Sequence, residues 1–588
     1  MTDARRNRVA QWAYDTRGIL GRFHLWLDDV EETWIGDRKA TDHAFVGESL
    51  ERAFIMANGV TALGTRLFGR WAEGKGRDKA TVNRVKKDAD AVSAYALSEA
   101  LWYLTRNLPE NHAVMVSLGE GLMPKAGETP EMGSNPQLGF GRVYARPQVA
   151  RFLDRNVHRL LNEEGYEWPM FWNDIQAAGI TVWGAALDTL ENTSRFAKGS
   201  PTGPLAVFHL FDQPLKVARP YEGYMGNLIL PRKVVDEAAE RSILIDFLTP
   251  RRLVMDAIQA AFPGIEPGNV HVWTLGGASR EHRIGGLWED WRSLGAHLVE
   301  DDWVIPETGI EAFTESGTYA PVYLVGPHQW DGEQHLFICD GYSASAEAVQ
   351  GASLDPILDT STSMCLFSSR FKIPYTREHH IMRLDPEAAD FGDRLAAIAE
   401  QEVPEDIVEI YRTNLRDAHA ACMPAGVRTA TADDFFPNKE WRVLSLNSAM
   451  LEDPYTGMPG VKELGDDVYQ VTTLAATRAG MVEVKLSLRL MEPMDEMQMV
   501  FSPLLDRFYA GQDYRTRAVK ISDSGRIRNE LQTLCADAIE YLPNDQMVVR
   551  FDQVEDAVLP PDKKVLIQEV LAWYQEQHPI WFRWLAKP

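Results

Sequence analysis

The sequence predicts a multi-domain α/β protein with a helical N-terminal region, a central α/β domain and a C-terminal α+β unit. Three observations carry that expectation. The chain has 588 residues, more than one hydrophobic core organises, so about three or four structural units are expected. Apolar residues recur at helical spacing over the first hundred positions. Between about 270 and 370, short β-branched and aromatic runs alternate with helix-capable stretches.

Residues 1–110 read as helix because Val9, Trp12, Ile19, Leu20, Phe23, Leu25 and Leu27 recur without strand-like alternation. Further helices are expected over Glu48 to Trp71 and Val82 to Leu104. The stretch SLGEGLMPKAGETPEMGSNPQLGFG is too punctuated by glycine and proline for an element and reads as a long surface loop or lid. It opens a mainly helical segment, 111–265, with helix over 146–195, a short strand LAVFHLF, and helices Val234 to Phe247 and Arg251 to Ala261 separated by Pro250.

Segment 266–385 carries the α/β texture, with strand candidates VHVWTL, AHLVEDDWVI, APVYLVG, HLFIC and SMCLFSS. Asp331-Gly332 is a two-residue hairpin signal, because a type I′ turn needs positive φ at both central positions. That turn pairs Trp330 with Glu333 and Gln329 with Gln334, and sets His328 opposite His335. Pro321 suits the first turn of a helix, so APVYLVG reads two ways. As a strand it makes HLFIC antiparallel. As a helix it makes HLFIC parallel and puts Asp340 to Ser345 at the carboxyl edge of the sheet, where ligands bind in open α/β folds.

Segment 386–588 is expected to be a helical connection followed by the α+β unit. Helices are expected over about 388–422, then strands DVYQVTTLAA and MVEVKLSLRLM joined by TRAG. A strand-to-helix unit at VKISDSGRIRNELQTLCADAIEYL follows, and an aromatic-rich terminal helix carries Trp581, Phe582 and Trp584 for docking onto the fold or a subunit.

Charge narrows the partners. Lys plus Arg number 60 against 85 Asp plus Glu, a net charge of -25, which opposes attraction to phosphate backbones and anionic lipid. No nucleic acid and no membrane partner is expected, and the chain is compatible with a homo-oligomer. No run approaches the about 18–20 apolar residues of a membrane span, and MTDARRNRVAQWAYD lacks the apolar core of a signal peptide, so the cytoplasm is the expected location. Cys339, Cys365, Cys422 and Cys535 are dispersed and read as reduced, buried thiols. H-E-x-x-H, Walker A, G-x-G-x-x-G and zinc spacings are all absent, so no metal site is expected and no cofactor is identified.

Three segments share a strand that ends in small and hydroxyl residues before a helix: LGGASREHRIGG at 275–286, FTESGTYAP at 313–321 and ISDSGRIRNEL at 521–531. Glycine lets the backbone approach a ligand, and free N–H groups at a helix start favour an anion. Arg280 and Arg283 follow the first turn, and Arg526 and Arg528 follow the third, each able to pair bidentately with phosphate. The same residue types also serve as helix caps. VWTLGGAS with RIGGLWEDWRSLGAHLVED resembles the first strand, glycine-serine loop, helix and second strand of sugar isomerase (SIS) domains. FTESGT and ISDSGR are similar to that family's Ser-x-Ser-Gly-x-Thr phosphosugar loop, with Thr314 at the first serine and Arg526 and Ile527 where the loop ends in threonine. The LGG-x-S segment is also similar to a strand-loop-helix of L-fucose isomerase. The SIS resemblance implies that Ser279, Ser316 and Thr318 contact phosphate, with Gly317, Ser524 and the arginines beside them.

The expected function is therefore a cytosolic enzyme on a small anionic, phosphorylated sugar-like metabolite, with aldose-ketose isomerisation favoured. Glu347 and His379 are the candidate catalytic base and proton donor, by nearness to the α/β edge. A non-catalytic metabolite-binding or scaffold protein uses the same turns without that pair. A serine hydrolase is the further alternative: G-Y-S-A-S nearly fits a nucleophile elbow at Ser343, with Asp355, Asp359, His379, His380 and His419 downstream. The Asp331-Gly332 turn argues against that elbow, and Ser343 reads as the cap of a following helix. The facing imidazoles His328 and His335, with Glu333 nearby, form a second candidate for proton transfer or metal binding.

Overall fold

The computed structural model describes residues 3–491 except 36–47, 106–107, 120–140, 217–222, 248, 278–279, 307–308, 315–319, 345–350, 369–376, 378–379, 382–383, 418–429, 432–434, 453–457 and 478, together with three short strands beyond 538. In chain order the strands are β1 (Leu25–Ile35), β2 (His112–Gly119), β3 (Val143–Ala145), β4 (Thr181–Glu191), β5 (Leu205–Phe211), β6 (Gly223–Pro231), β7 (Val270–Trp273), β8 (His297–Leu298), β9 (Val304–Ile305) and β10 (Ile310–Glu311). They continue as β11 (Gly326–Trp330), β12 (Glu333–Ala344), β13 (Thr360–Ser368), β14 (Ala430–Thr431), β15 (Val443–Ala449), β16 (Lys462–Gly465), β17 (Val468–Thr477) and β18 (Gly480–Leu490). The helices that matter below are α1 (Asp3–Arg22), α2 (Glu48–Phe68), α3 (Lys79–Leu104), α4 (Pro147–Asn162), α5 (Trp168–Ala177), α6 (Thr193–Lys198), α7 (Arg232–Glu240), α8 (Arg251–Ala261) and α9 (Glu281–Ser293).

The fold is α/β and built on two large sheets. The first runs β1-β18-β17-β15-β5-β4-β2-β3, with β16 beside β17; β2 and β4 are parallel and the other neighbours are antiparallel. Val482, Val484, Leu486, Leu488 and Leu490 alternate along β18 and point into one cluster with Phe54, Ala57 and Val60 of α2, which is why α1 to α3 lie on that face. α2 approaches closely at Gly59, where a Cβ would stand 3.0 Å from Leu486 Cδ1. The second sheet runs β14-β13-β6-β12-β7-β8, with β11 beside β12. Met115 and Phe211 of the first sheet share one apolar cluster with Leu228, Val272 and Ile338 of the second, so a common core joins the sheets.

Several expected strands and helices form where the pattern put them. LAVFHLF is β5, Arg251 to Ala261 is α8, and β17 and β18 pair as a hairpin through the TRAG turn. The four sequence segments, however, interleave: the first sheet draws strands from 1–110, 111–265 and 386–588, and the second takes β6 from before 266 and β14 from after 385. Residues 25–35 are strand where helix was expected. A bulge between Leu27 and Asp29 places the buried residues at Leu25, Leu27 and Val30, a spacing that imitates a helix. β4 lies inside the stretch read as helix, because ten of its eleven residues are buried and no alternation remains. The helix begun near Val234 stops at Glu240, and Phe582–Trp584 is a strand beside Met547–Val549 in place of a terminal helix.

The two readings of APVYLVG are both partly correct. Ala320–Leu324 is a 3-10 turn that accommodates Pro321, and Gly326 then starts β11. Asp331 and Gly332 have φ 53° and 81°, and the hairpin pairs Trp330 with Glu333, Gln329 with Gln334 and His328 with His335. β12 is antiparallel to β11 and β6 yet parallel to β7, from Leu336 opposite Val270 to Cys339 opposite Trp273. Cys339 is a buried free thiol, pushed well above its usual range by burial. Cys422 and Cys535 lie outside the described residues. Among the described residues no helix is long and apolar enough to cross a membrane.

Candidate functional site at the carboxyl edge of the central sheet

The sequence VHVWTLGGASREH folds as the strand-loop-helix unit its pattern predicts: β7, a turn from Thr274 to Arg280, then α9. Gly277 has φ 99°, a conformation side chains rarely adopt. The Gly276 N–H donates to Thr314 O at 2.6 Å. A Cβ on Gly276 would stand 2.0 Å from Thr314 Oγ1, so only glycine lets the chains approach. The first sequence-predicted turn therefore meets Thr314, at the start of the second, whose residues 315–319 lie outside the described residues. The two meet at the carboxyl end of the parallel β7/β12 pair, where a Cβ on Gly341 of β12 would stand 2.9 Å from Thr274 Oγ1.

Thr314 is fixed from its other side, since its N–H and Oγ1 both donate to Asp301 Oδ1, at 2.7 and 2.9 Å. Arg280 holds the capping position of α9 and is half-buried. Arg283, one turn along α9, places its guanidinium 5.7 Å from the Tyr342 ring centroid, above the end of β12. Backbone N–H groups at the α9 start and the Arg283 guanidinium thus stand at the same edge, with Arg280 at the capping position.

Beneath the edge lies a buried ion pair. Arg251 Nε and Nη2 donate to Asp340 Oδ2 and Oδ1 at 2.6 and 2.8 Å, and Trp291 Nε1 donates to Oδ2 at 2.6 Å. Arg251 Nη1 donates to the carbonyls of Phe247 and Thr249. Asp340 is fully enclosed and holds the edge in place, so the parallel direction of β12 does not make it a pocket group. Asp290, close by, has its carboxyl raised by burial first and by Asp340 as well.

Ser343 is corrected by the same strand. It lies inside β12 opposite Met225, fully buried, and its Oγ accepts from Asn227 Nδ2 at 2.7 Å. It caps no helix, and the sharp strand-to-helix elbow of a serine nucleophile is not formed there. Asp355, an acid considered for that hydrolase, accepts from Thr360 Oγ1, Thr362 Oγ1 and Thr362 N at 2.7 to 2.8 Å, and burial raises its carboxyl to about 6. Asp359 takes a left-handed conformation after a short helix, and His380 is exposed. Of the substrate-binding residues expected from sequence, Arg280 is described. Ser279, Ser316, Gly317, Thr318, Ser524, Arg526, Glu347, His379 and His419 lie outside the described residues.

A second cluster stands toward the other end of β7. The expected pair His328 and His335 forms, and two further imidazoles, His271 of β7 and His297 of β8, join it. His271 Nδ1 lies 2.7 Å from His297 Nδ1, and His271 Nε2 lies 2.9 Å from His335 Nδ1. Trp303 and Trp330 pack against these rings. Burial and the neighbouring imidazoles push His271 down to about 3, and burial lowers His297 against the pull of Glu300. The sequence signal for the added pair is that VHVW and AHLV each bring a histidine into one of two strands joined by one helix. His271 turns its two nitrogens toward different neighbours, and among the described residues no group of three or more His, Cys, Asp or Glu could hold a metal ion.

No family model matches the chain and no curated protein matches it, so its chemistry rests on this geometry.

Proposed function

We propose that the carboxyl edge of β7 and β12 binds a small anionic metabolite, a phosphorylated sugar, and that the protein is an enzyme catalysing its aldose-ketose isomerisation. The observation that carries this reading is the Gly276 N–H to Thr314 O hydrogen bond, which joins two glycine-hydroxyl turns at one strand edge beside Arg280 and Arg283. With a net charge of -25 the chain repels anions at long range, so local donors must do the binding. Isomerisation moves a proton between adjacent carbons, leaving the carbonyl and hydroxyl exchanged. A carboxylate takes and returns that proton while a second group serves the sugar oxygens. Glu347 and His379 are assigned those roles.

A second reading has one observation in its favour. Asp301 holds Thr314 and Asp340 is locked to Arg251, so these two acidic side chains at the edge are committed to structure. In that case the edge binds a metabolite without turning it over. Thermal unfolding with a panel of sugar phosphates tests both. A ligand at 100 times its Kd adds about 2.7 kcal/mol to stability. The expected result is a rise in Tm with a phosphorylated sugar, none with the unphosphorylated sugar, and loss of the rise in Arg280→Ala. Turnover of that ligand, abolished in Glu347→Gln with the Tm rise retained, assigns the enzyme. Stabilisation without turnover assigns the binder, and no shift with any sugar phosphate overturns both.

A further inference from the structure

The imidazole cluster has a proton-counting property that follows from its geometry. His271 is 6% exposed; its ring lies near-parallel to Trp303, with centroids 5.0 Å apart and planes at 21°, and edge to edge with His335, at 5.1 Å and 17°. A neutral imidazole has one N–H and one lone pair. In the neutral chain His297–His271–His335, each N···N contact therefore holds one hydrogen, with the N–H groups all running one way. One excess proton leaves both contacts intact, because both outer Nε2 atoms can then be protonated with a single hydrogen still in each contact. A second excess proton has no such place. It must enter a contact that already holds a hydrogen, setting N–H against N–H across 2.7 or 2.9 Å.

We propose that this chain is an acid-operated latch: uptake of two protons breaks one contact to His271 and parts the Trp303-bearing connection between β8 and β9 from the β11–β12 hairpin. The surrounding charges direct the protons. Glu300, in that connection, favours a proton on His297 and is itself paired with Arg292 at 3.3 Å. Glu333, two positions before His335 on β12, accepts from Asn269 Nδ2 at 3.1 Å. His328 Nε2 lies 2.7 Å from Leu324 O and holds the hairpin to the preceding turn, while Asp331 is exposed at the hairpin tip. Asp301 is engaged with Thr314. Burial keeps His271 neutral until acid is reached.

The latch has a route to the carboxyl edge. The Ala312 N–H donates to Trp303 O at 2.7 Å, and Asp301 holds Thr314 against Gly276. Parting Trp303 from the hairpin slackens the segment that positions the second turn. This last step rests on the proposed function, whereas the latch itself does not.

Hydrogen exchange read by mass spectrometry from pH 7.5 to 4.5, corrected for the intrinsic pH dependence of exchange, tests it, with circular dichroism following the global fold. The expected result is loss of protection in 297–314 with a slope of about two protons while β4 and β5 stay protected. In His335→Gln the slope stays at about two, because the amide oxygen can accept from His271 Nε2–H and the remaining His297–His271 contact still tolerates one excess proton, and in His271→Phe, which keeps an aromatic ring without a nitrogen, the transition disappears. The double variant His297→Gln/His335→Gln, whose amides can each accept from a doubly protonated His271, loses the transition as well should His271→Phe fail to fold. Loss of protection only together with global unfolding overturns the latch, as does a one-proton slope in the wild-type chain or a transition that persists in His271→Phe or in the double variant. Sugar-phosphate affinity falling in step with the exchange transition ties the latch to the edge; a transition without that fall leaves the latch standing and removes its link to the site.

Discussion

At the scale of single residues, close approach and closed hydrogen bonding decide what the edge can be. Gly276 has no room for a Cβ beside Thr314, so Gly276→Ala is expected to destabilise by roughly 2–3 kcal/mol, in the range of overpacked sites, and to separate the two turns. Urea unfolding reads the first effect and ligand affinity the second. Asp340 and Ser343 sit three positions apart with unequal stakes. Removing the carboxylate in Asp340→Ala leaves Arg251 charged and unpaired in the interior, with an expected loss of about 3–5 kcal/mol. Ser343→Ala leaves one Asn227 amide short of an acceptor, with an expected loss of about 1–2 kcal/mol. A reversed order in urea unfolding contradicts the assignment of Asp340 as the anchor beneath the edge.

At the scale of elements, legibility followed whether a strand keeps its period. β18 and the β11–β12 hairpin were readable because alternation and the Asp331-Gly332 turn are local signals, and β17 because its run of Val, Tyr and Thr is β-forming although nearly all of it is buried. β1 was not, because its bulge shifts the burial pattern by one residue, and β4 was not, because both of its faces are covered. The site was legible to the same degree. A strand, a glycine turn and a helix start are written in 270–286, whereas the meeting of Gly276 with Thr314 and of His271 with His297 and His335 depends on tertiary packing that no spacing records. Ser343 was misread because a small-residue run looks like a turn, although here small residues let β12 pass close to β6 and β7. The hairpin supplies a direct test of its turn. Gly332 has φ 81°, so Gly332→Ala is expected to cost about 1 kcal/mol, while Asp331→Asn, which tolerates the left-handed region, is nearly neutral by the same unfolding assay.

At the scale of the whole molecule, three buried titratable groups set the acid response. His209 lies between the sheets, with Nδ1 2.8 Å from Ser353 Oγ and Nε2 3.3 Å from Ser445 Oγ, and burial holds it down to about 3. His271 is held equally low. The unfolded chain protonates both histidines near pH 6.5 and the folded chain does not until about 3, so their contribution is intact above pH 6.5 and is lost as pH falls toward 3. Asp355 works the other way. Its folded value of about 6 lies above the unfolded 3.8, so the stability it adds is complete below 3.8 and is lost as pH rises through 6. Between these limits two histidines oppose one carboxyl, and from these three groups stability is expected to fall by about 1.4 kcal/mol per pH unit on acidification. His209→Gln should flatten that slope in urea unfolding at pH 6.5, 5.5 and 4.5; a slope independent of His209 contradicts its burial as a neutral ring.

These scales meet at the carboxyl edge, where a buried ion pair lies beneath a glycine turn and the turn leads through Arg280 into α9 with Arg283. The most direct test of that edge as an anion site is titration calorimetry with a hexose phosphate and with the corresponding free hexose, on the wild-type chain and on Arg280→Ala. The account predicts saturable binding of the phosphate ester alone, weakened at least about tenfold by the substitution, the loss of one charge-assisted contact. Binding of the free hexose with equal affinity, or binding of the phosphate ester unchanged by Arg280→Ala, contradicts it.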